Sequence, residues 1–549
     1  MNHHFLQIAL SWFALSAALM AQHQTVLDPP VVGGVLPYSV ELREVSLAPA
    51  PLPTLHSVAA ARWQGQWILF AGRTAGLHGL TGFNAFDPQT ENREVWVIDP
   101  TTRQSWRKSL LETAPASGLA ADVVDSLSSV NSQFYQQDHT LLVVGGYGYK
   151  RSAAAYRTYD TLTFIDLPGL IEWVKQPSGA ETSRAADHIQ QIRDAYFQVT
   201  GGSLKRLHGE YQLVMGQNYT GSYRPFFNGI YTRQVRRFRV EEGAGGWTVS
   251  SGSMQATVPA DAYRRRDLNV ATILQAGAQP GVYEERAVVF SGVFTLEGGV
   301  WTVPVLIAPG GVVTMDNPTA PDTLRQGFQI YHSAKVGLFH RATREMHVVM
   351  FGGITVLEHN STTGQFTADE QAPFTNQCGV VVRRQDGKFR QYFLPTRFPL
   401  IQTPTGKELR FGANAEFFPA TGIPMLNEEV IDLTQLKGQT VIGHVFGGIV
   451  ADAGNGGLTG ASGRVFEVVL TPTSPPPIPV ATLADTDIRL SWPSVSSWQY
   501  LLETSTDLMS WTEADPPLLG TGDWLDWKHP CDAPQRFYRL FGAAESRAP

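Results

Sequence analysis

A β-rich apolar run that ends in glycine recurs six times along the 549-residue chain. This repetition constrains the fold more than any other feature, because recurrence of one motif is typical of chains built from copies of a single supersecondary unit. The intervals between the runs are unequal, which indicates repeated cores joined by connections of variable length. The closing glycines are Gly72, Gly146, Gly216, Gly292, Gly353 and Gly448.

A second element follows the first three runs. An alternating strand reaches an acidic residue, and a tryptophan comes shortly after it. A strand, a turn and a tryptophan suit the outer half of a four-stranded sheet, where the indole fills the wedge between neighbouring sheets. The pairs are 95–99 with Trp106, 161–166 with Trp173, and 235–240 with Trp247.

Together these two elements resemble the repeat of the kelch family over residues 38–471. The resemblance implies an all-β fold, a six-bladed kelch-type β-propeller in which each blade is a four-stranded sheet. The sequence departs from the family pattern in places. Only the runs that close at Gly146, Gly353 and Gly448 keep a glycine doublet, and the last three blades lack the spaced tryptophan.

The last repeat is one strand short. After the strand at 465–470 the chain leaves through prolines, whereas residues 40–47 near the start form an alternating strand without a partner of its own. An open sheet edge is a liability that propellers avoid by pairing the two ends of the chain. We therefore expect residues 40–47 to complete the last blade.

The first residues predict export. Residues 1–21 carry an apolar stretch from Phe5 to Met20, and Ala21 followed by Gln22 is a plausible cleavage point. The alternative is a membrane anchor, but the stretch is shorter than the roughly 20 apolar residues that a span needs. No later segment is long and apolar enough to cross a membrane. The expected location is secreted, periplasmic or on the cell surface.

A proline-rich linker at 472–479 precedes a short region, 480–542, with alternating strands. This region resembles fibronectin type III-like modules, above all in Ser505–Trp511 and in 537–540, and the resemblance implies a small β-sandwich. Its tryptophans either form the core or stack on sugars. They are Trp492, Trp498, Trp511, Trp524 and Trp527.

Only two cysteines occur, Cys378 and Cys531, and they fall in different predicted domains. Free thiols are therefore expected, with a single interdomain bridge as the alternative. One helix is predicted at 182–194, where Ala185, Ile189 and Ile192 share a helical face.

Candidate site residues gather in the connections between the second and third strands and at the starts of the inner strands, which share one face of a propeller. Arginines bind carboxylate, sulfate or phosphate, and tyrosines stack on sugars. The glycine-rich 452–457 segment lies on the same face. The alternatives are structural roles: the arginines at 264–266 form ion pairs with Asp267 or Glu284, and the histidine at 332 forms a hydrogen bond with the backbone. The predicted ligand-binding face comprises Arg73, His78, Tyr147, Tyr149, Lys150, Arg151, Asn218, Tyr219, Tyr223, Arg224, Arg264, Arg265, Arg266, Asp267, Tyr331, His332 and Lys335.

A net charge of −7 with mixed signs argues against nucleic-acid binding. We find no nucleophile elbow, phosphate loop, zinc signature or closely spaced histidine pair outside the predicted export signal, so no metal or cofactor is expected. The kelch-type copper-radical oxidases need a cysteine–tyrosine cross-link and two histidines, and Cys378 stands in no matching context. Whether the protein is an enzyme is left open.

The leading hypothesis is a non-catalytic recognition protein that binds an acidic or polyhydroxylated ligand such as a glycan, or a protein partner, on the loop-rich face. The first alternative is a carbohydrate-active enzyme, a sugar epimerase, isomerase or lyase, that uses arginine, histidine and tyrosine of that face. The second alternative is a structural or adhesive surface module. A buried acid–base pair in a deep central pocket favours the enzyme, whereas a wide arginine–tyrosine funnel favours binding.

Overall fold

The computed structural model describes residues 27–544 except residues 35, 79–84, 112–116, 225–228, 278–281, 342, 474–478, 485–486, 495–497, 522–523 and 531. The predicted export signal, most of the predicted linker and Cys531 lie outside the described residues. The protein is all-β, with 50% strand and 8% helix. Its strands form many small antiparallel sheets.

Within the described residues, six sheets that follow one another along the chain each contain a set of four antiparallel strands, to which two of the sheets add a short fifth strand. In the first five sheets the spatial order of the four strands follows their order in the chain. Consecutive antiparallel strands need only short turns, which suits a chain rich in glycine and proline. Sheet 1 comprises Ala59–Trp63, Gln66–Phe70, Glu94–Asp99 and Gln104–Ser109. Sheet 2 comprises Gln133–Gln137, Thr140–Val144, Thr161–Asp166 and Ile189–Arg193, and sheet 3 comprises Ser203–Leu207, Glu210–Val214, Val235–Phe238 and Gln255–Ala256.

The next two sheets repeat this arrangement, and sheet 6 takes its outermost strand from the other end of the chain. Sheet 4 comprises Val270–Ala276, Tyr283–Val289, Val305–Ala308 and Val312–Met315. Sheet 5 comprises Ala334–His340, Glu345–Ile354, Phe374–Arg383 and Phe389–Arg397. Sheet 6 comprises Arg410–Pro419, Thr440–Ala451, Val465–Pro472 and Tyr38–Val45. The N-terminal strand thus lies beside Val465–Pro472, where the sequence places residues 40–47.

Several of the connections between the second and third strands of a sheet contain a short hairpin. The hairpins are Tyr147–Lys150 with Ala155–Thr158, Gln217–Asn218 with Ile230–Tyr231, and Leu357–Asn360 with Gln365–Ala368. In sheet 6 the strand Thr459–Ala461 pairs back on Thr440–Ala451. Another strand, Val430–Asp432, pairs in parallel with the first strand of sheet 5.

The three spaced tryptophans occupy three different kinds of element. Trp106 lies on the outermost strand of sheet 1, as the pattern predicts. Trp173 instead lies in a helix, Leu167–Lys175, which begins because the Asp166 carboxylate accepts a hydrogen bond from the Gly169 amide. Trp247 lies in a separate hairpin, Val240–Gly243 with Gly246–Val249, and stacks on Phe164 of sheet 2 at 5.1 Å.

The helix predicted at 182–194 is wrong. The segment contains a single 3-10 turn, Ala185–Asp187, and then the strand Ile189–Arg193, which pairs with Thr161–Asp166. Its apolar residues, spaced four and three apart, favour a helix, but pairing with an otherwise open sheet edge outweighs this local preference. The second α-helix that the structure describes is Ala121–Leu127, and the other 3-10 turns are Pro88–Thr90, Arg151–Ala153, Ala195–Phe197, Ser251–Ser253, Asp261–Tyr263, Pro309–Gly311 and Leu433–Gln435.

A chain of backbone hydrogen bonds links the starts of the six first strands. Each amide donates to the carbonyl oxygen of the corresponding residue in the preceding sheet, at distances between 2.7 and 3.3 Å. The bonds run from Gly201 to Asn131, from Asp267 to Gly201, from His332 to Asp267, from Asn414 to His332, and from Ser57 to Asn414. The starts of the first strands therefore lie side by side in this order.

Sheets 6 and 1 also share an apolar core. Trp67 of sheet 1 stacks on Phe418 of sheet 6, with ring centroids 4.7 Å apart, and lies 5.9 Å from the ring of Phe446. Leu69 and Val465 belong to the same buried cluster. The first and last sheets of the series are therefore packed against each other.

The chain divides into two compact units, and the second consists of residues 33–39, 437–439 and 470–549. One of its sheets joins Val480–Ala484, Asp487–Pro493 and Trp524–Pro530; the other joins Trp498–Ser505 to Thr512–Glu513, Leu518–Leu519 and Phe537–Ala544. Leu490, Trp492, Tyr500, Leu502 and Trp527 form its buried core. Two of the predicted tryptophans are thus core residues.

We expect Gly145→Ala to destabilise the protein far more than Gly456→Ala. Both glycines have a left-handed φ, +61° and +63°, so both changes cost about 1–2 kcal/mol of backbone strain. A Cβ atom at Gly145 would lie 2.0 Å from the carbonyl oxygen of Val199, whereas one at Gly456 meets no atom within 4 Å. Overpacking adds about 1–3 kcal/mol at the first site alone. Denaturant unfolding of both variants measures the difference, and equal losses would contradict this account.

Candidate functional site

A cavity of about 250 Å³ lies where the first strands of the six sheets converge. Residues of sheets 2 to 6 line it, together with Ser57 and Val58, which directly precede the first strand of sheet 1. We call it the central cavity. Side chains alternate between the two faces of a strand, so positions two apart, such as Ser203 and Lys205 or Asn414 and Glu416, lie on the same face. The charged residues that line the cavity are Lys205, Asp267, His332, Lys335, Glu416, Glu428 and Glu429.

Glu416, Lys335 and His332 form an acid–base group in this cavity. The Nε2 atom of His332 lies 3.9 Å from Oε1 of Glu416, and the ammonium of Lys335 donates to the carbonyl oxygen of Ser333 at 3.1 Å. The side chains of His332 and Glu416 keep 27% and 18% of their surface accessible although they lie deep in the protein. They therefore face the cavity and are not enclosed by protein on every side.

Burial moves the pKa values of Glu416 and Lys335 toward neutrality. It raises the pKa of Glu416, and the positive charge of Lys335 opposes that shift. It lowers the pKa of Lys335, which Glu416 opposes in turn. It also lowers the pKa of His332, an effect to which Lys335 adds, so the imidazole is neutral at pH 7. A carboxyl and an amine that both exchange protons near neutral pH are what general acid–base catalysis requires.

A second polar group lies in the same cavity. Glu429 forms an ion pair with Lys205, and the hydroxyl of Thr272 donates to the other carboxylate oxygen of Glu429. Glu429 belongs to the 420–436 segment, which the parallel strand Val430–Asp432 fixes against sheet 5. Asn427 of this segment donates to Glu285 at 2.9 Å. The segment thus contacts the first strands of sheets 3 and 5 as well as two strands of sheet 4.

Asp267 lies at the starts of the first strands and is held by its neighbours. Arg266 donates to its carboxylate at 3.0 Å, the Tyr331 side chain forms a hydrogen bond with it, and the amide of Asn131 donates at 3.4 Å. Burial raises the pKa of Asp267, and the charge of Arg266 opposes this. The Asn414 side chain forms hydrogen bonds with Tyr331 and with His332.

The three consecutive arginines, predicted to lie on the ligand-binding face, are buried inside the protein. Arg264 stacks on the Tyr231 ring at 3.9 Å and donates to the carbonyl oxygen of Thr295 at 3.0 Å. Arg265 is fully buried and donates to the carbonyl oxygen of Val303, and burial lowers its pKa to about 9. Arg266 is committed to Asp267 and to two tyrosine hydroxyls. These cations hold loops together.

Part of the predicted face is brought together as an aromatic cluster at the connections of sheets 1 to 3. Tyr223 lies at its centre, with the ring of His78 at 4.7 Å and that of Tyr219 at 5.2 Å. Tyr147 contacts Tyr219 at 5.7 Å and donates to the Gly221 carbonyl oxygen. The guanidinium of Arg73 lies 4.5 Å over the ring of Phe86, which contacts His78, Tyr147 and Tyr223.

The other predicted residues lie around this cluster. Arg151 forms ion pairs with Asp125 and Glu91, and Lys150 pairs with Asp122. The Tyr149 amide donates to Glu91. Asn218 pairs with Ile230 in a short ladder, and the Arg224 amide donates to the Tyr219 hydroxyl. Most of these cations are neutralised by carboxylates of the protein itself.

Sequence reasoning found Asp267, His332 and Lys335 of the central cavity, and Tyr331 beside it, but missed most of the polar residues that line it. The missed residues are Ser57, Asn131, Lys205, Thr272, Asn414, Glu416 and Glu429. A signal did exist for some of them: polar residues alternate along first strands that otherwise read as buried, as at 203 and 205 or 414 and 416. No local sequence pattern predicts that Glu429 lines the cavity, because its segment lies outside the repeated strands.

No family model matches the chain, and no curated protein matches it. One similar solved structure is described as "Structure of YjhT"; it shares 10% identity with this chain at a TM-score of 0.39, over 81% of this chain and 99% of that one. A likeness this weak decides neither fold nor function. Among the described residues, no helix has the length and apolar character to span a membrane.

We expect Arg266→Met to lower the free energy of unfolding by about 3–5 kcal/mol near pH 7.5, because it leaves the buried Asp267 carboxylate without its cation. The decrease in the free energy of unfolding is smaller at pH 5. Without Arg266 the folded-state pKa of Asp267 rises further above its unfolded value, so the penalty is present above the unfolded pKa and fades as acid protonates the group. Denaturant unfolding at the two pH values measures it.

The double variant Arg266→Met with Asp267→Asn recovers part of that loss, because no buried charge remains. Arg43→Met, which breaks the exposed pair with Glu41, changes the free energy of unfolding far less and serves as the control. A pH-independent loss that Asp267→Asn does not relieve would contradict this assignment.

Proposed function

We propose that the chain is an enzyme that moves protons on a small polyhydroxylated substrate, such as a sugar, held in the central cavity. The observation that carries this is the group of Glu416, Lys335 and His332, which combines a raised carboxyl pKa and a lowered amine pKa in a cavity open to solvent. A buried acid–base pair is the feature that favours an enzyme over a protein that only binds its ligand. Sugar epimerisation, isomerisation or elimination is the reaction class.

The roles follow from the pKa directions. Glu416, a stronger base than an exposed carboxylate, takes the proton from a carbon next to the substrate carbonyl. Lys335, a stronger acid than an exposed amine, protonates the carbonyl oxygen to give an enol. Return of a proton to the other face or to the neighbouring carbon completes epimerisation or isomerisation, and loss of a β-substituent completes elimination. His332 is neutral and donates or accepts a hydrogen bond near Glu416.

Hydroxyl and amide groups around the acid–base group suit a polyhydroxylated substrate. Ser57, Asn131, Ser203, Thr272 and Asn414 line the same cavity. Each supplies a donor, an acceptor or both, whereas the charge of Lys205 is already neutralised by Glu429. The cavity therefore offers many weak polar contacts and one acid–base pair.

Recognition of a ligand or protein without turnover is the second candidate. It is supported by the aromatic cluster around Tyr223, which is built from the same loop-rich connections that the sequence predicts as a binding face. Arg266 joins this cluster to Asp267 of the central cavity. In this reading the cavity binds the ligand and Glu416 serves only as a hydrogen-bond partner.

We further propose that the first unit is a six-bladed kelch-type β-propeller, and that the second is a fibronectin type III-like module. Six consecutive four-stranded sheets, the bonded series of strand starts and the packing of sheet 6 on sheet 1 support the ring. Two facing antiparallel sheets around a tryptophan core support the module. Export through residues 1–21 remains a prediction from the sequence.

The ring proposal predicts that Leu42→Asp loosens sheet 1 as well as sheet 6. Leu42 is buried on the N-terminal strand of sheet 6, and a charge there costs several kcal/mol. If the ring is closed, sheet 1 loses a packing partner and its hydrogen exchange accelerates at Gln66–Phe70. Hydrogen-exchange mass spectrometry measures this, with sheet 3 as the internal reference. Acceleration confined to sheet 6 would contradict closure.

The catalytic proposal predicts loss of proton exchange in Glu416→Gln. The full chain is incubated in D₂O with a panel of aldoses, ketoses and uronic acids, and NMR follows deuterium entering the carbon next to the carbonyl. We expect exchange on at least one sugar and a rate at least about 100-fold lower in the variant, because an amide accepts no proton. Glu370→Gln, at an exposed site, is the control.

The pH profile of that exchange should be bell-shaped around neutral pH. Activity rises as Glu416 loses its proton through a raised pKa and falls as Lys335 loses its proton through a lowered one. Lys335→Met removes the alkaline limb together with most of the rate. Binding of a sugar without exchange, with equal affinity in Glu416→Gln, would favour recognition over catalysis.

A further inference from the structure

The solvent-facing side of a three-stranded sheet in the second unit carries one tryptophan among paired polar side chains. Strand alternation along Trp524–Pro530 sends Trp527 into the core, where it is 6% exposed, and leaves Trp524 59% exposed. Trp492 is fully buried and Trp511 packs under the guanidinium of Arg539 at 4.2 Å. Trp524 is thus not needed for the core of the module.

Residues directly across the sheet from one another share this side. Asp526 lies opposite Ser491, and Ser491 lies opposite Val480; Lys528 lies opposite Arg489 in the next row. The Ser491 hydroxyl donates to Asp526 Oδ1 at 2.5 Å, and Arg489 forms an ion pair with the other oxygen. These contacts hold the polar groups in fixed positions next to the indole.

The chemistry of this surface suits the faces and hydroxyls of a sugar chain. An indole presents a flat apolar area at low entropic cost, and neighbouring rows along the strands are about 6.6 Å apart, the scale of one sugar ring. The Arg489 hydrogen bond lowers the pKa of Asp526, so its carboxylate stays an acceptor for hydroxyls, while arginine and lysine supply donors.

Other ligands fit less well. The exposed apolar groups on this side are Trp524 and the 52%-exposed Val480, too few for a lipid surface. Arg489 and Asp526 form an ion pair, and Lys528 and Asp487 on the same side balance each other in sign, so the surface offers no excess charge to an ionic partner. A neutral ligand that is rich in hydroxyls matches an indole flanked by balanced donors and acceptors.

We propose that this side of the sheet, with Trp524 as its stacking residue and Asp526, Arg489 and Ser491 as its polar contacts, binds a neutral polysaccharide. The site is independent of the central cavity. It gives the second unit a targeting role: it holds the protein on a glycan surface, whatever the first unit does.

The test is sedimentation of the full chain with microcrystalline cellulose, chitin and insoluble xylan, followed by affinity electrophoresis in gels that contain soluble polysaccharides. We expect retention on at least one of them and at least a tenfold weaker affinity in Trp524→Ala. Trp524→Tyr keeps part of the binding, because it keeps a flat ring. Leu519→Ala, which changes a 57%-exposed residue of the other sheet of the module, binds like the wild type.

Folding of each variant is checked by circular dichroism and thermal unfolding before binding is compared. No retention of the folded wild type on any polysaccharide overturns the proposal, as does equal retention of wild type and Trp524→Ala. Retention that 0.5 M salt abolishes also overturns it, since that marks adsorption by charge. Glu416→Gln leaves binding intact, so the outcome is separate from that of the catalytic proposal.

Discussion

The series of backbone hydrogen bonds between the starts of the first strands is the constraint on which the rest of the first unit depends. A residue at such a start leaves the preceding turn in a left-handed conformation, with φ of 51° at Asn131, 66° at Gly201 and 50° at Asp267. At Gly201 and Asp267 the amide and the carbonyl then point along the series and bond to both neighbours, and at Asn131 the carbonyl bonds to Gly201. Because each bond joins two sheets, the spacing of the sheets is set at their inner ends.

The glycines at the ends of the apolar runs also allow the backbones of neighbouring segments to approach closely, in this case at the end of the second strand of a sheet. At Gly145 the second strand of sheet 2 passes so near the Val199 carbonyl that no side chain fits, and the Gly146 amide bonds to that carbonyl. The recurring glycine in the sequence therefore marks a position where the fold leaves no room for a side chain. This is why the sheet-forming runs and their order were predictable from the sequence, whereas the role of the N-terminal strand was predictable because the last repeat lacks one strand.

Elements that depend on tertiary contacts were not predictable in this way. The helix Leu167–Lys175 occupies the turn after the third strand of sheet 2, so the strand that completes this sheet comes later, at Ile189–Arg193. The sequence placed the arginines at 264–266 on the ligand-binding face because a sequence shows charge but not which groups pair. In the structure their donors are used by carbonyl oxygens, tyrosine hydroxyls and Asp267, which makes them internal ties.

The polar lining of the central cavity has two origins, and the difference bears on function. Asn131, Asp267 and Asn414 stand where the chain needs a left-handed residue, and asparagine and aspartate tolerate that conformation best after glycine. Their presence follows from the fold alone. Lys205, Lys335 and Glu416 lie within extended strands, where apolar or neutral residues would serve the backbone equally well.

Burying such charges costs free energy, and the backbone at these positions gains nothing from a charged residue in return. Lys205, Glu416 and Glu429, the last from a segment outside the repeat, lie close enough to affect the pKa of Lys335, and the two lysines affect that of Glu416. Natural chains keep costly charges where they serve chemistry or ligand binding, so these residues, and not the arginine-rich loops, are where function is to be sought in the first unit.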